Sequence, residues 1–273
     1  MLRPPANDAN YRGSIHFTGA KAIARFSNTA TLIVAKKRGG MYSKPKQPKA
    51  KAMDVVHEAQ GIGYELLRPE VLDDMAGVVA NAFAGYEPTS VALGISSEEF
   101  VDYVQLYGTR MLRENLTIVA TDLTTGDLVG ALIADDLASG SPAGREHISE
   151  KFEPVLALLD ELGEHYREGR DIVPGHYLHL AMLGVAKAFQ NRGVGQNLLR
   201  LCLSHAADRS YRVAVAEATG TISQHILKDK FGFIHRVDVS YKTFIYRDKR
   251  IFASIEDHSG TVLMDRAIAP HRV

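Results

Sequence analysis

A chain of 273 residues, 45% of them hydrophobic, is long and apolar enough to bury its own core as one large domain or two small ones. No apolar run approaches the roughly 20 residues that cross a bilayer and no secretory-type start opens the chain, while a single Cys202 excludes an internal disulfide or a multi-cysteine zinc cage and fits a reducing, cytoplasmic setting. The net charge of zero hides an asymmetry, because residues 1–52 hold 11 Lys and Arg against one acid, Asp8, and the remaining 221 residues stand at −10.

Residues 1–52 show little periodicity and close on Lys44-Pro-Lys-Gln-Pro-Lys-Ala-Lys51, a mixture that neither a helix nor a sheet interior accommodates. This reads as a disordered basic extension. Three roles compete for it: a solvated tail, an organellar transit peptide drawing on the acid-free stretch 20–37, and a nucleic-acid-contacting arm.

A regular domain is expected over residues 61–268. A short strand at 64–68 leads to a helix from Pro69, on which Val71, Met75, Val78, Val79 and Phe83 share a face. Ser96 with Glu99 forms a capping box that opens a second helix, expected to run to Arg113. Residues 116–121 and 128–134 flank a Thr-Gly turn and predict an antiparallel hairpin. An amphipathic helix follows at 149–167, then the most apolar run, 177–185, which suits a central strand covered on both faces. Helix 195–208, strand 211–217, helix 222–230 and strand 233–241 complete the pattern, with weaker terminal strands at 251–253 and 262–265.

The chemistry concentrates where strand 177–185 runs through a glycine-containing loop into helix 195–208. Gly193 and Gly195 permit positive φ and close backbone approach, so the N–H groups of Arg192, Gly193, Val194, Gly195 and Gln196 can converge on one point. That point faces a helix N-terminus, which makes it an anion site suited to a phosphate or pyrophosphate. Lys187, Arg192 and Arg200 add positive charge to an otherwise acidic domain. The dinucleotide fingerprint fails for want of a third glycine at Leu198, and no P-loop occurs.

What remains is Gln190-x-x-Gly193-x-Gly195, which resembles the Arg/Gln-x-x-Gly-x-Gly/Ala signature of the GNAT superfamily of acyl-CoA-dependent N-acetyltransferases. The order of elements from residue 64 onward matches that superfamily, and Lys230-Phe-Gly-Phe233 resembles the tetrapeptide that ends its last helix. Read from the residues alone, that tetrapeptide is a glycine C-cap before a strand. The resemblance implies an α/β fold, a mixed central sheet flanked by helices, with two sheet strands that splay apart. It implies acetyl-CoA as cosubstrate, held by Leu183, Gly184 and Val185 along the strand and by Gln190, Asn191, Arg192, Gly193, Val194, Gly195 and Gln196 in the loop.

Within the superfamily the chain is most similar to the insect-type arylalkylamine N-acetyltransferases, which carry an acidic-Glu-Pro step at the end of the first helix. Phe83-Ala-Gly-Tyr-Glu87-Pro88 is the comparable segment, with Tyr86 in place of the acidic neighbour. The resemblance implies Glu87 as general base. It offers no exact match for the serines of the last helix, where Gly220 and Gln224 fall in place and Thr221 and Ser223 stand beside them; the tyrosine used as acid elsewhere in the superfamily is replaced by Lys228. Ser223, Lys228 or water remain as proton sources for the departing thiolate, and Ser223 is taken as the second catalytic candidate.

An alkylammonium loses its proton only near pH 10, so attack on a thioester needs a base, and an acidic body favours capture of a cationic amine. The expected reaction is acetyl transfer to a primary amine, a small arylalkylamine or polyamine, by direct attack. Protein or peptide lysine acetylation and a non-catalytic acyl-CoA-binding module are the rivals. No metal, membrane or nucleic-acid partner is expected, and the chain is read as a monomer or homodimer. Cys202 reads as a buried apolar residue; His176 and His179 offer a metal site or bases, but three apart on a strand they point to opposite faces, which disfavours a shared metal.

Overall fold

The computed structural model describes residues 57–269, so the expected basic extension 1–52 lies outside the described residues. Among them, β1 (His57–Ala59) and β2 (Ile62–Leu66) form a hairpin whose turn residues, Gln60 and Gly61, both take positive φ. The chain then enters α1 (Leu72–Tyr86) through a single 3-10 turn at Pro69–Val71. A short helix absent from the sequence reading, α2 (Pro88–Leu93), follows directly. It is separate because Glu87 is extended, with Pro88 at the first helical position and Gly94 closing the helix in the left-handed region.

The expected helix from Ser96 to Arg113 is two helices, α3 (Ser97–Gln105) and α4 (Gly108–Glu114). The capping box of Ser96 and Glu99 is present. The break falls where Leu106 and Tyr107 form tight three-residue bonds just before Gly108, a poor helix former. The hairpin forms as expected, from β3 (Ile118–Asp122) and β4 (Leu128–Asp136). After it come α5 (Glu153–Arg167), β5 (Tyr177–Val185), α6 (Val194–Asp208) and β6 (Val213–Ala218). Then α7 (Thr221–His225) widens into a π turn at Ile226–Lys230, before β7 (Ile234–Ser240) and β8 (Gly260–Ala267). Gly232 ends that turn with φ +69°, its N–H donating to Lys228 O, which is the C-cap expected of Lys230-Phe-Gly-Phe233. The expected strand at 251–253 does not form. Phe252 is apolar because it fills the core beside Tyr241 and Phe244.

The sheet runs β1-β2-β3-β4-β5-β6-β8-β7, and β5–β6 is its parallel neighbour pair. One face is covered by α6 and the α7 segment, with Leu198, Leu199, Cys202 and Leu227 against Ile118, Leu132, Leu178 and Leu180. The opposite face is covered by α1 and α3 at one end and by α5 at the other. On the α6 face Cys202 is fully buried, its thiol donating to Leu116 O and pushed up by burial to about 12, so it is a packing residue as expected. This mixed α/β sheet flanked by helices is the architecture that the sequence resemblance implies.

Candidate active site

Parallel pairing between β5 and β6 stops after Tyr177↔Val213, Leu178↔Ala214 and His179↔Val215. Beyond that rung β5 stays with β4 as far as Gly130↔Val185, and β6 stays with β8 as far as Ala218↔Val262. The two central strands therefore part, and a fork opens between them. The run 177–185, expected to be covered on both faces, is half-open along its last residues for this reason, with Leu183 36% exposed.

Backbone alternation says which groups look into the fork. The Ala186 N–H donates to Val129 O on the β4 side, so the N–H and C=O of Val185 and Leu183 turn the other way. Gly184 is turned towards β4 and lies under α1, where a Cβ would come within 2.9 Å of the Val79 Cα. It lets the helix approach the strand and does not itself face the fork.

At the wide end of the fork, Gln190 reaches back to donate its side-chain N–H to Val185 O at 3.2 Å. Asn191 and Gly193 take positive φ, and Gly193 caps α6 with no side-chain partner at the helix start. The Asn197 N–H donates to Gly193 O at 3.0 Å, which leaves the N–H groups of Val194, Gly195 and Gln196 without acceptors in the helix. A Cβ on Gly193 would meet nothing within 4 Å, so the loop is uncrowded at this position. Arg192 lies over the Phe189 ring and Arg200 donates to Asn197 Oδ1, placing two guanidinium groups beside the helix start. From Gln196 and Arg200 a groove of about 480 Å³ continues to Lys230, Phe231 and Arg266. Unpaired amides and two guanidinium groups at a helix start are what an anion site requires, and these residues fit a phosphate-bearing cosubstrate with a long arm.

Glu87 sits at the corner between α1 and α2. Its carboxylate accepts from the backbone N–H groups of Thr89 and Ser90 and from both their hydroxyls, at 2.6–3.0 Å. It is therefore the N-cap of α2, half-buried, and near enough to the buried Tyr241 to raise that phenol further after burial has done most of the work. Pro88 faces Gly220, whose added Cβ would lie 3.7 Å from the proline ring and 3.8 Å from His258. Ser223 is exposed on α7, its hydroxyl donating to Gly220 O at 2.8 Å. The structure thus brings the Glu87 corner and the Ser223 turn close together where the fork opens.

Two features of this opening were not legible in the sequence. His258, from the loop before β8, places Nδ1 3.2 Å from both the N–H and the hydroxyl of Thr221. At the closed end of the fork, His179 lies between Asp135 of β4 at 2.8 Å and Glu217 of β6 at 2.9 Å, and Arg110 backs Asp135 at 3.2 Å. Burial opposes a charge on the ring, but Glu217 and Asp135 outweigh it and hold the imidazole well above its usual range. Among the described residues no group of three or more His, Cys, Asp or Glu side chains is arranged to hold a metal ion, and no helix is long and apolar enough to cross a membrane.

The sequence model of the acetyltransferase (GNAT) family matches residues 95–233. The chain belongs to this family. As a GNAT acetyltransferase it shares its fold with solved structures of low sequence identity. The C-terminal condensation domain of Ebony, in complex with beta-alanyl-dopamine, is 17% identical, with a TM-score of 0.69 over 76% of this chain and 99% of that one. Arylalkylamine N-acetyltransferase 2 from Aedes aegypti is 20% identical, with a TM-score of 0.65 over 76% and 99%. The polyamine N-acetyltransferase of Drosophila melanogaster, which forms N-acetylagmatine, is 14% identical, with a TM-score of 0.58 over the same shares. No curated protein sequence matches the GNAT chain. The likeness to the insect arylalkylamine N-acetyltransferases expected from Glu87-Pro88 and the loop is borne out in the fold.

Proposed function

We propose that this GNAT acetyltransferase moves an acetyl group from acetyl-CoA to the nitrogen of a small primary amine, an arylalkylamine or a polyamine. The observation that carries this reading is the fork that opens beyond His179↔Val215 with an anion loop at its wide end. A cosubstrate whose pyrophosphate sits on the amides of Val194, Gly195 and Gln196 can lay its amide-bearing arm along Leu183 and Val185, as an added strand would. Arg200, Lys230 and Arg266 line the groove left for its nucleotide end. The amine class is supported by the acidic body, by the corner carboxylate and by the activities of the Aedes and Drosophila neighbours.

In the reaction the amine nitrogen attacks the thioester carbonyl, the C–N bond forms, and the C–S bond breaks with its electron pair going to sulfur. An N–H turned into the fork at Leu183 or Val185 stabilises the developing oxyanion. Glu87 binds the incoming ammonium. As general base it takes the ammonium proton through a water. Ser223 returns a proton to the thiolate, for which its hydroxyl releases Gly220 O. His258, with Nδ1 accepting from the Thr221 N–H, keeps its other ring nitrogen as a donor.

The coenzyme part is tested by titrating acetyl-CoA into the wild-type chain and into Gly193→Val. The expected result is saturable binding that the variant loses by at least about tenfold, because the branched side chain enters the space before the amides at a φ that disfavours it. Equal affinity in a folded variant would remove the loop from the account.

A further inference from the structure

The chain of charges at the closed end of the fork has no part in the transfer described above. It runs Arg110–Asp135–His179–Glu217, at 3.2, 2.8 and 2.9 Å, and crosses β4, β5 and β6. Glu217 lies beyond Val215, the last β6 residue paired with β5, so the contact from His179 to Glu217 crosses the fork just above its final rung. Asp135 is sealed at 2% side-chain exposure, while His179 and Glu217 keep 18% and 14%. Both ring nitrogens face carboxylates. The imidazolium form satisfies both by donating twice, and it has no lone pair left to take a proton from an amine. With Arg110 behind Asp135, the group holds two positive and two negative charges and is well compensated.

This geometry has a consequence for an acyl-CoA in the fork. A linear molecule anchored by its pyrophosphate at the wide end, with its amides paired along β5, directs its thioester towards the narrow end. The carbon atoms beyond the carbonyl are then aimed at the last rung. We propose that the His179–Glu217 pair is the end wall of the acyl site, and that it restricts the transferred group to acetyl or one of similar size. A longer acyl tail would have to displace the pair or lie against ionised groups that it cannot hydrogen-bond, at the expense of their mutual contact. This inference rests on the reading that the fork binds acyl-CoA.

The test is calorimetric affinity for coenzyme A, acetyl-CoA, butanoyl-CoA and hexanoyl-CoA, measured on wild type, Glu217→Ala and Glu217→Gln, with thermal unfolding to verify each fold. Binding alone is read, so no amine is needed. Wild type should bind hexanoyl-CoA at least about tenfold more weakly than acetyl-CoA, the scale on which pockets sort methylene groups. Glu217→Ala should bring the two within a few-fold of each other, and Glu217→Gln, which keeps the volume, should retain the gap. If Glu217→Ala does not fold, Glu217→Thr supplies a smaller side chain that keeps a β-branched strand residue with a polar group. Equal affinity for all chain lengths in wild type, or an unchanged gap in a folded small-side-chain variant, overturns the wall alone. Failure of wild type to bind coenzyme A overturns the acyl-CoA reading and the wall with it.

Discussion

Gly184 on β5 and Val79 on α1 meet so closely that a Cβ on the glycine would stand 2.9 Å from the Val79 Cα and 3.3 Å from the Ala82 Cβ. The obstacle is helix backbone, which cannot rotate away. Gly184→Val should therefore destabilise the fold by at least about 1–3 kcal/mol, the usual cost of overpacking, with α1 and the Glu87 corner displaced from the fork. Denaturant unfolding measures this, and a variant as stable as wild type would show that α1 is not held by this contact.

The start of α3 is tied to the segment before α5 through Glu99. Its carboxyl is pulled down to about 2, first by Lys151 Nζ at 2.8 Å, then by the Ser96 N–H and the Ser149 hydroxyl. Because this pKa is lower in the folded state than the ordinary value of 4.5, the stabilisation is present above that pH and disappears as pH falls towards about 2. Glu99→Gln should cost about 1 kcal/mol at neutral pH, given the partial exposure of the pair, and should flatten the acid slope of stability in that window. An unchanged slope would place the acid sensitivity elsewhere.

Much of this architecture could be read in advance. The capping box at Ser96 and Glu99, the hairpin about its Thr-Gly turn, the apolar run 177–185 and the glycine loop are local signals, each set by residues adjacent in the chain. The split between α3 and α4 was missed because the apolar pattern continues across Leu106 and Tyr107 while the backbone does not. At 251–253 the apolar signal was real, but it reported core filling by Phe252 and not a strand. The fork lay beyond any local pattern, since it arises when β5 follows β4 and β6 follows β8. The Asp135–His179–Glu217 group was hidden for a related reason: its members come from three strands separated by tens of residues, and His179 stood out in the sequence without its two carboxylate partners.

Glu87 has two tasks that one substitution separates. The Thr89 and Ser90 N–H groups donate to separate oxygens of Glu87, so Glu87→Gln keeps an acceptor for one of them and the α2 cap should weaken by about 1 kcal/mol. Loss of the charge should slow turnover by about 10²- to 10⁴-fold, the range typical of a lost proton-transfer group. Steady-state kinetics with thermal unfolding on the same sample tests both. Full activity in the variant would leave Glu87 as a structural cap alone.

The central claim is acetyl transfer from acetyl-CoA to a small primary amine, and its most direct test is thiol release from acetyl-CoA across arylalkylamines, polyamines, amino sugars and lysine peptides. Release that depends on an arylalkylamine or a polyamine, with the N-acetyl product found by mass, is the expected result. Release with lysine peptides only, or no release with any amine despite measurable acetyl-CoA binding, would contradict it.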